Sequence, residues 1–111
     1  MLNISGLNRF YYIRNFTDMR CKYARILSVI RHQLGRDPER DEVFIVMSGN
    51  RRLVRLFTFD RLSSGLYEKR FAPEYQFMKV VREGDEETYR IDWKDVVLLL
   101  ESPTRKYMRI R

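Results

Sequence analysis

Cysteine and histidine are nearly missing from these 111 residues, with Cys21 and His32 the sole example of each. One cysteine excludes an internal disulfide, and one histidine beside it leaves too few soft ligands for a self-contained zinc site. A thiol–imidazole dyad is excluded by spacing. Positions 21 and 32 would share one side of a helix but stand roughly 16 Å apart along it. Long apolar runs are missing too: none reaches the roughly 20 residues of a membrane span. The polar start "MLNISGLNR" lacks the charged-then-apolar design of a secretion signal. A cytoplasmic location with no membrane partner is therefore expected. There is no internal repeat and no low-complexity segment.

Acidic residues are scarce, 15 against 22 lysines and arginines, giving a net charge of +7 and a pI near 9.9. The imbalance is uneven along the chain. Residues 1–36 carry +7 and −1, residues 37–47 carry +1 and −4, and residues 48–82 carry +8 and −3. Residues 83–101 then carry +2 and −7, and 102–111 carry +4. The basic excess thus sits in three blocks, and arginine, which can grip phosphate bidentately, far outnumbers lysine. This balance points to a nucleic-acid partner. A basic surface kept for solubility is the plain alternative.

What is present argues for one folded domain over residues 1–111. A 44% hydrophobic and 14% aromatic content is that of a globular chain with a single modest core. Met19, Tyr23, Ile26, Leu27, Ile30 and Leu34 recur at helical steps of three and four. Thr17 stands at the N-cap position of that helix and Asp18 in its first turn, while Gly35 and Pro38 end it. After an acidic linker, "EVFIVM", the turn "SGN" and "RRLVRLFTFD" read as a β-hairpin with Arg51 and Arg52 at its turn. The "RLSSG" turn leads to "LYEKRF", "YQFMKVV" follows Pro73, and "TYRI" adds a short strand. Asp92 caps a second helix in which Trp93, Val96, Val97 and Leu100 share a face, ending before Pro103. Residues 102–111 form a basic tail, either an edge strand or a loose arm. The expected fold is α+β: an N-terminal helix, an antiparallel meander of three to five strands, and a C-terminal helix.

"YYIRNFTDMR", "LGRDP", "NRR" and "GLYEKRF" occur in this order and spacing in one small bacterial family. On these motifs the chain resembles the TnpB-type accessory proteins encoded beside the transposase in insertion sequences of family sixty-six. The resemblance covers residues 9–72 well and the C-terminal third poorly. The chain departs from the family pattern at Cys21, Lys22 and Tyr23, at "LVRLF" and at "DRLSSG", keeping basic and apolar character at each. The resemblance implies a role in transposition beside a separate catalytic subunit.

No catalytic residue, metal site or cofactor is expected. Asp18, Asp60, Asp92 and Glu101 could supply the carboxylates of a two-metal nuclease, but Asp18 and Asp92 are explained as helix-start residues. The candidate DNA contacts are Arg51, Arg52, Arg55, Lys69, Arg70, Arg20 and Arg36. Arg51 and Arg52 lead, because a projecting two-stranded ribbon can enter a groove. Arg20 sits where the helix dipole disfavours a cation, which calls for a carboxylate partner in the fold. Arg36 and Asp37 fit an ion-paired turn as well as a phosphate contact. Tyr11, Tyr12, Phe57, Phe59 and Tyr67 are core residues, or stacking platforms if one sheet face is bare. Two functions follow: an accessory factor that binds DNA at element ends and assists the transposase, or a module that contacts the transposase without binding DNA.

Overall fold

The structure, a computed structural model, describes residues 4–20 and 23–105. Its first element is a strand, β1 (Arg9–Ile13), and the helix α1 (Tyr23–Leu34) follows it. Then come β2 (Glu42–Met47), β3 (Leu53–Phe59), β4 (Ser64–Arg70), the two-residue β5 (Tyr75–Gln76), β6 (Thr88–Ile91), α2 (Trp93–Glu101) and β7 (Thr104–Arg105). Five strands form one mixed sheet in the order β4-β3-β2-β1-β6, and β5 pairs with β7 in a separate ribbon. The chain is therefore α+β as expected.

Two features of the expected architecture are corrected. The helix does not open the fold, because "RFYYI" is an aromatic and β-branched run whose two faces are both used. Phe10 and Tyr12 point to one layer of the core, while Tyr11 and Ile13 belong to the other. Nor is the sheet a simple meander. β1 lies parallel to β2, Phe10 opposite Val43, and antiparallel to β6, Phe10 opposite Ile91. Parallel neighbours need a crossover, and α1 is that crossover. The β2–β3–β4 portion is the expected antiparallel meander, with Phe44 opposite Phe57 and Leu56 opposite Tyr67. "YQFMKVV" supplies only β5, outside the main sheet.

Both faces of the sheet are covered. α1 crosses one of them, burying Ile26 and Ile30 against Ile13, Phe44, Val46, Phe57 and Phe59. Tyr23 meets Phe57 edge-on at one end of the helix, and the Thr88 hydroxyl donates to the Gln33 amide oxygen at the other. On the opposite face α2 contributes Val96 and Leu99, and the chain between β5 and β6 contributes Phe77. Leu99, rather than the expected Val97, thus joins Val96 on the buried face, while Trp93 stacks on Phe10 with ring centroids 5.2 Å apart. Tyr12, Phe57 and Phe59 are core residues, and Tyr67 alone of the five candidate aromatics is exposed.

The helix ends also refine the expected capping. α1 starts at Tyr23, so Thr17 and Asp18 precede it and do not cap it. Asp18 Oδ1 instead accepts the Arg20 backbone N–H at 3.1 Å, closing a local turn. Gly35 does end the helix: its φ is +68°, and its N–H donates to the Arg31 carbonyl at 2.9 Å. At α2 the backbone carbonyl of Asp92 accepts from the N–H groups of Asp95 and Val96, while the carboxylate makes no capping bond. Cys21, Lys22 and residues 106–111 of the basic tail lie outside the described residues; Thr104 and Arg105 are an edge strand.

Candidate nucleic-acid interface

The seven candidate cations differ in how far the fold already uses them. Arg36 and Arg55 serve the fold. Glu42 is fully buried at the start of β2, where a lone carboxylate would be strongly disfavoured. Arg36 grips it bidentately at 2.6 and 2.8 Å, the Glu39 N–H donates at 2.6 Å, and Arg9 stands 3.8 Å away. Burial pushes the Glu42 carboxyl up, but Arg36, the Glu39 amide and Arg9 together outweigh it and hold the group below its ordinary value. Arg9 in turn is held by Asp41 and Glu39 at 2.7 to 2.9 Å. Asp37 pairs with Arg31 at 2.5 Å. The "LGRDP" motif therefore covers a buried carboxylate.

Arg55 is corrected as a contact candidate in the same way. It lies beneath the chain that leads into α1, only 8% exposed, with Nε donating to Glu68 at 2.5 Å and Nη1 to the Met19 carbonyl at 2.6 Å. An alternating strand puts it on the helix-covered face beside Phe57. Lys69 is partly engaged, 3.6 Å from Glu101 and 5.3 Å above the Phe71 ring.

Arg51, Arg52 and Arg70 come together by strand register. Leu53 is opposite Arg70, so the β2–β3 turn and the end of β4 share one end of the sheet. Among the described residues none of these three arginines makes an ion pair, in contrast to Arg9, Arg20, Arg31, Arg36, Arg55 and Arg82. The turn itself is firmly built. Ser48 accepts the backbone N–H groups of Arg52 and Leu53, and the Arg51 carbonyl accepts from Phe77 N–H at 2.7 Å. Arg51 has φ +58°, unusual for a side chain with a Cβ. With the Gln76 amide oxygen facing it, its Nε and Nη2 donate at 3.0 and 2.8 Å. Arg52 Nε is buried with no hydrogen-bond partner among the described residues.

The "TDMR" segment runs past the same turn. The Thr17 Cβ lies 3.9 Å from where a Cβ on Gly49 would stand, and Arg20 is 92% exposed in a pair with Asp18 at 3.1 Å. Arg20 thus has the expected carboxylate, but in a solvated pair two residues away and outside the helix. Sequence reasoning missed Arg14 and Arg82. Arg14 leaves β1 at this end and donates to the Arg82 and Gly84 carbonyls, and both guanidinium groups lie over the Tyr89 ring at 5.7 and 4.8 Å. Only a knowledge that β1 and β6 are neighbours could have joined them.

Among the described residues no three carboxylate, histidine or cysteine side chains converge as a metal site would need. His32 is exposed on α1. No helix of the described residues is long and apolar enough to cross a membrane.

The sequence model of the IS66 Orf2-like proteins matches residues 8–109. The chain belongs to this family. The match spans nearly the whole chain, including the C-terminal third, where the motif resemblance is poor. The IS66 Orf2-like family is an accessory family of transposable elements. No curated protein and no solved structure matches the chain significantly.

Proposed function

We propose that this IS66 Orf2-like protein is a non-enzymatic accessory factor that binds DNA through the basic end of its sheet and assists the separate transposase at element ends. The observation that carries the reading is the convergence of Arg51, Arg52 and Arg70, unpaired with any carboxylate of the described residues, on a turn held in place by Ser48 and Phe77. A cation kept for solubility needs neither a fixed turn nor a half-buried guanidinium. A phosphate contact benefits from both, since fixing the donor beforehand lowers the entropy lost on binding. The accessory character rests on the family and on the absence of a converging carboxylate set among the described residues.

The test is a titration of a labelled duplex with the purified chain at several salt concentrations. Dissociation constants of roughly 10⁻⁴ to 10⁻⁶ M, rising steeply with salt, are expected for sequence-tolerant binding. Failure to bind even at low salt would favour the other reading, a module that contacts the transposase alone. Supercoiled plasmid incubated with the protein and magnesium or manganese should stay uncut.

A further inference from the structure

At the end of the sheet opposite the β2–β3 turn, an open groove of about 1060 Å³ lies between α1, the loop at 37–40 and the β3–β4 turn. Its apolar surface comes from Leu27, Pro38 and Phe59. At its rim Leu62 is 97% exposed. That exposure is imposed by the turn: Asp60 accepts the N–H groups of Leu62 and Ser63 at 2.8 and 2.6 Å and the Ser63 hydroxyl at 2.9 Å.

The charges of the groove decide what fits it. Asp37 pairs with Arg31 at 2.5 Å, and Asp60, held by the amides and hydroxyl of its own turn, keeps its charge and attracts Arg40, so that Arg31, Arg40 and Arg61 exceed the two carboxylates by one charge. Arg40 and Arg61 are exposed and make no ion pair among the described residues. The charge left to a partner is positive, and it flanks an apolar strip. A nucleic-acid backbone suits this poorly, because it offers nothing apolar to Leu27, Phe59 and Leu62 and would run over two carboxylates. A polypeptide with one apolar side chain between acidic residues satisfies both features. We infer that this groove receives an acidic segment of a protein partner, its apolar side chain over Leu27 and Phe59 beside Leu62 and its carboxylates on Arg40 and Arg61. The DNA reading uses the other end of the sheet, so the two sites can be occupied together.

Random peptides displayed on phage and selected on the full chain give the probe, and the enriched sequence is then synthesised with a fluorophore. Enrichment of Asp or Glu around a Leu, Ile, Phe or Trp is expected. Affinity should fall about tenfold or more in Leu62→Asp and in Arg40→Glu with Arg61→Glu, a loss near 1.4 kcal/mol or above. Both variants alter exposed side chains, and a melting curve matching the parent establishes that they fold; Arg61→Gln serves as the milder change. Arg51→Ala with Arg52→Ala should weaken duplex binding and leave peptide binding unchanged, so the two readings fail separately. The inference is overturned if no acidic-apolar sequence is enriched, if the groove variants bind the peptide like the parent, or if a DNA duplex displaces it.

Discussion

Glu42 shows most directly how charge in this chain divides between fold and surface. Its carboxylate is buried, and Arg36 and the Glu39 amide supply nearly all of its hydrogen bonds. Replacing Arg36 by Ala leaves that carboxylate only the Glu39 amide at 2.6 Å and Arg9 at 3.8 Å. We expect a loss of about 2 kcal/mol in urea unfolding, below the 3 to 5 kcal/mol typical of breaking a fully buried pair, because Arg36 is itself 37% exposed. Arg20→Ala should change stability by no more than about 0.5 kcal/mol, since its pair with Asp18 is solvated. The sign of the acid response follows from the same contacts. Glu42, Asp41 and Asp60 are all held below their ordinary values in the folded chain, so their stabilisation is present above the unfolded carboxylate range near 4 and lost as pH falls through the lower folded values. Melting temperature measured against pH should be level near neutrality and drop below about pH 4, with a shallower drop in Glu42→Gln. In the alkaline direction burial raises Tyr12 to about 12, so its contribution is full below its ordinary value of 10 and fades as pH rises from there.

At the scale of elements, legibility followed how much of each segment's pattern is local. β2, the "SGN" turn, β3, β4 and β6 are each marked by their own residues and appear where the sequence predicts. The Gly35 stop is equally local, and Gly35→Ala should cost about 1 kcal/mol because φ +68° strains a residue with a Cβ. The start of α1 differs because Met19 continues the helical spacing and Thr17 and Asp18 suit a cap and first turn, and only the structure shows Asp18 closing a turn with Arg20. β1 escaped notice since its five residues gain their meaning from two distant neighbours, β2 and β6. The candidate site was legible to the same degree. Arg51 and Arg52 declare themselves by the turn they occupy, but nothing local distinguishes exposed Arg70 from buried Arg55: the register puts both on one face of the sheet, where the chain at Met19 covers Arg55 and leaves Arg70, at the end of the edge strand, open. α2 carries a sharper test. Trp93, the only tryptophan, stacks on Phe10 while half exposed, and Trp93→Ala should cost about 1 to 2 kcal/mol, short of the 3 to 5 kcal/mol of a fully buried site.

For the molecule as a whole, the net charge of +7 conceals an asymmetry between the two ends of the sheet. At one end Arg9, Arg31 and Arg36 are neutralised by Glu39, Asp41, Asp37 and Glu42, and Arg40 and Arg61 stand exposed beside an apolar groove. At the other, Arg51, Arg52 and Arg70 have no such partners among the described residues. On the proposed reading DNA is held at the hairpin end, and salt dependence can count the contacts made there. Each neutralised phosphate contributes about −0.9 to the slope of log K against log salt on duplex DNA, so three arginines imply a slope of about −3. Arg51→Ala with Arg52→Ala should reduce it to about −1, with a stability loss of about 1 kcal/mol from the bonds of half-buried Arg51 to Gln76. Arg51→Gly, compared with Arg51→Ala, separates the backbone from the side chain: both lose the guanidinium and its bonds to Gln76, but only glycine relieves the φ +58° strain, so both should bind DNA more weakly while the glycine variant melts higher than the alanine one. Arg40→Ala with Arg61→Ala, at the far end, should leave the slope near −3. An equal fall in slope for both double variants would mean that DNA responds to total charge alone, and the hairpin end would lose its claim to be the site.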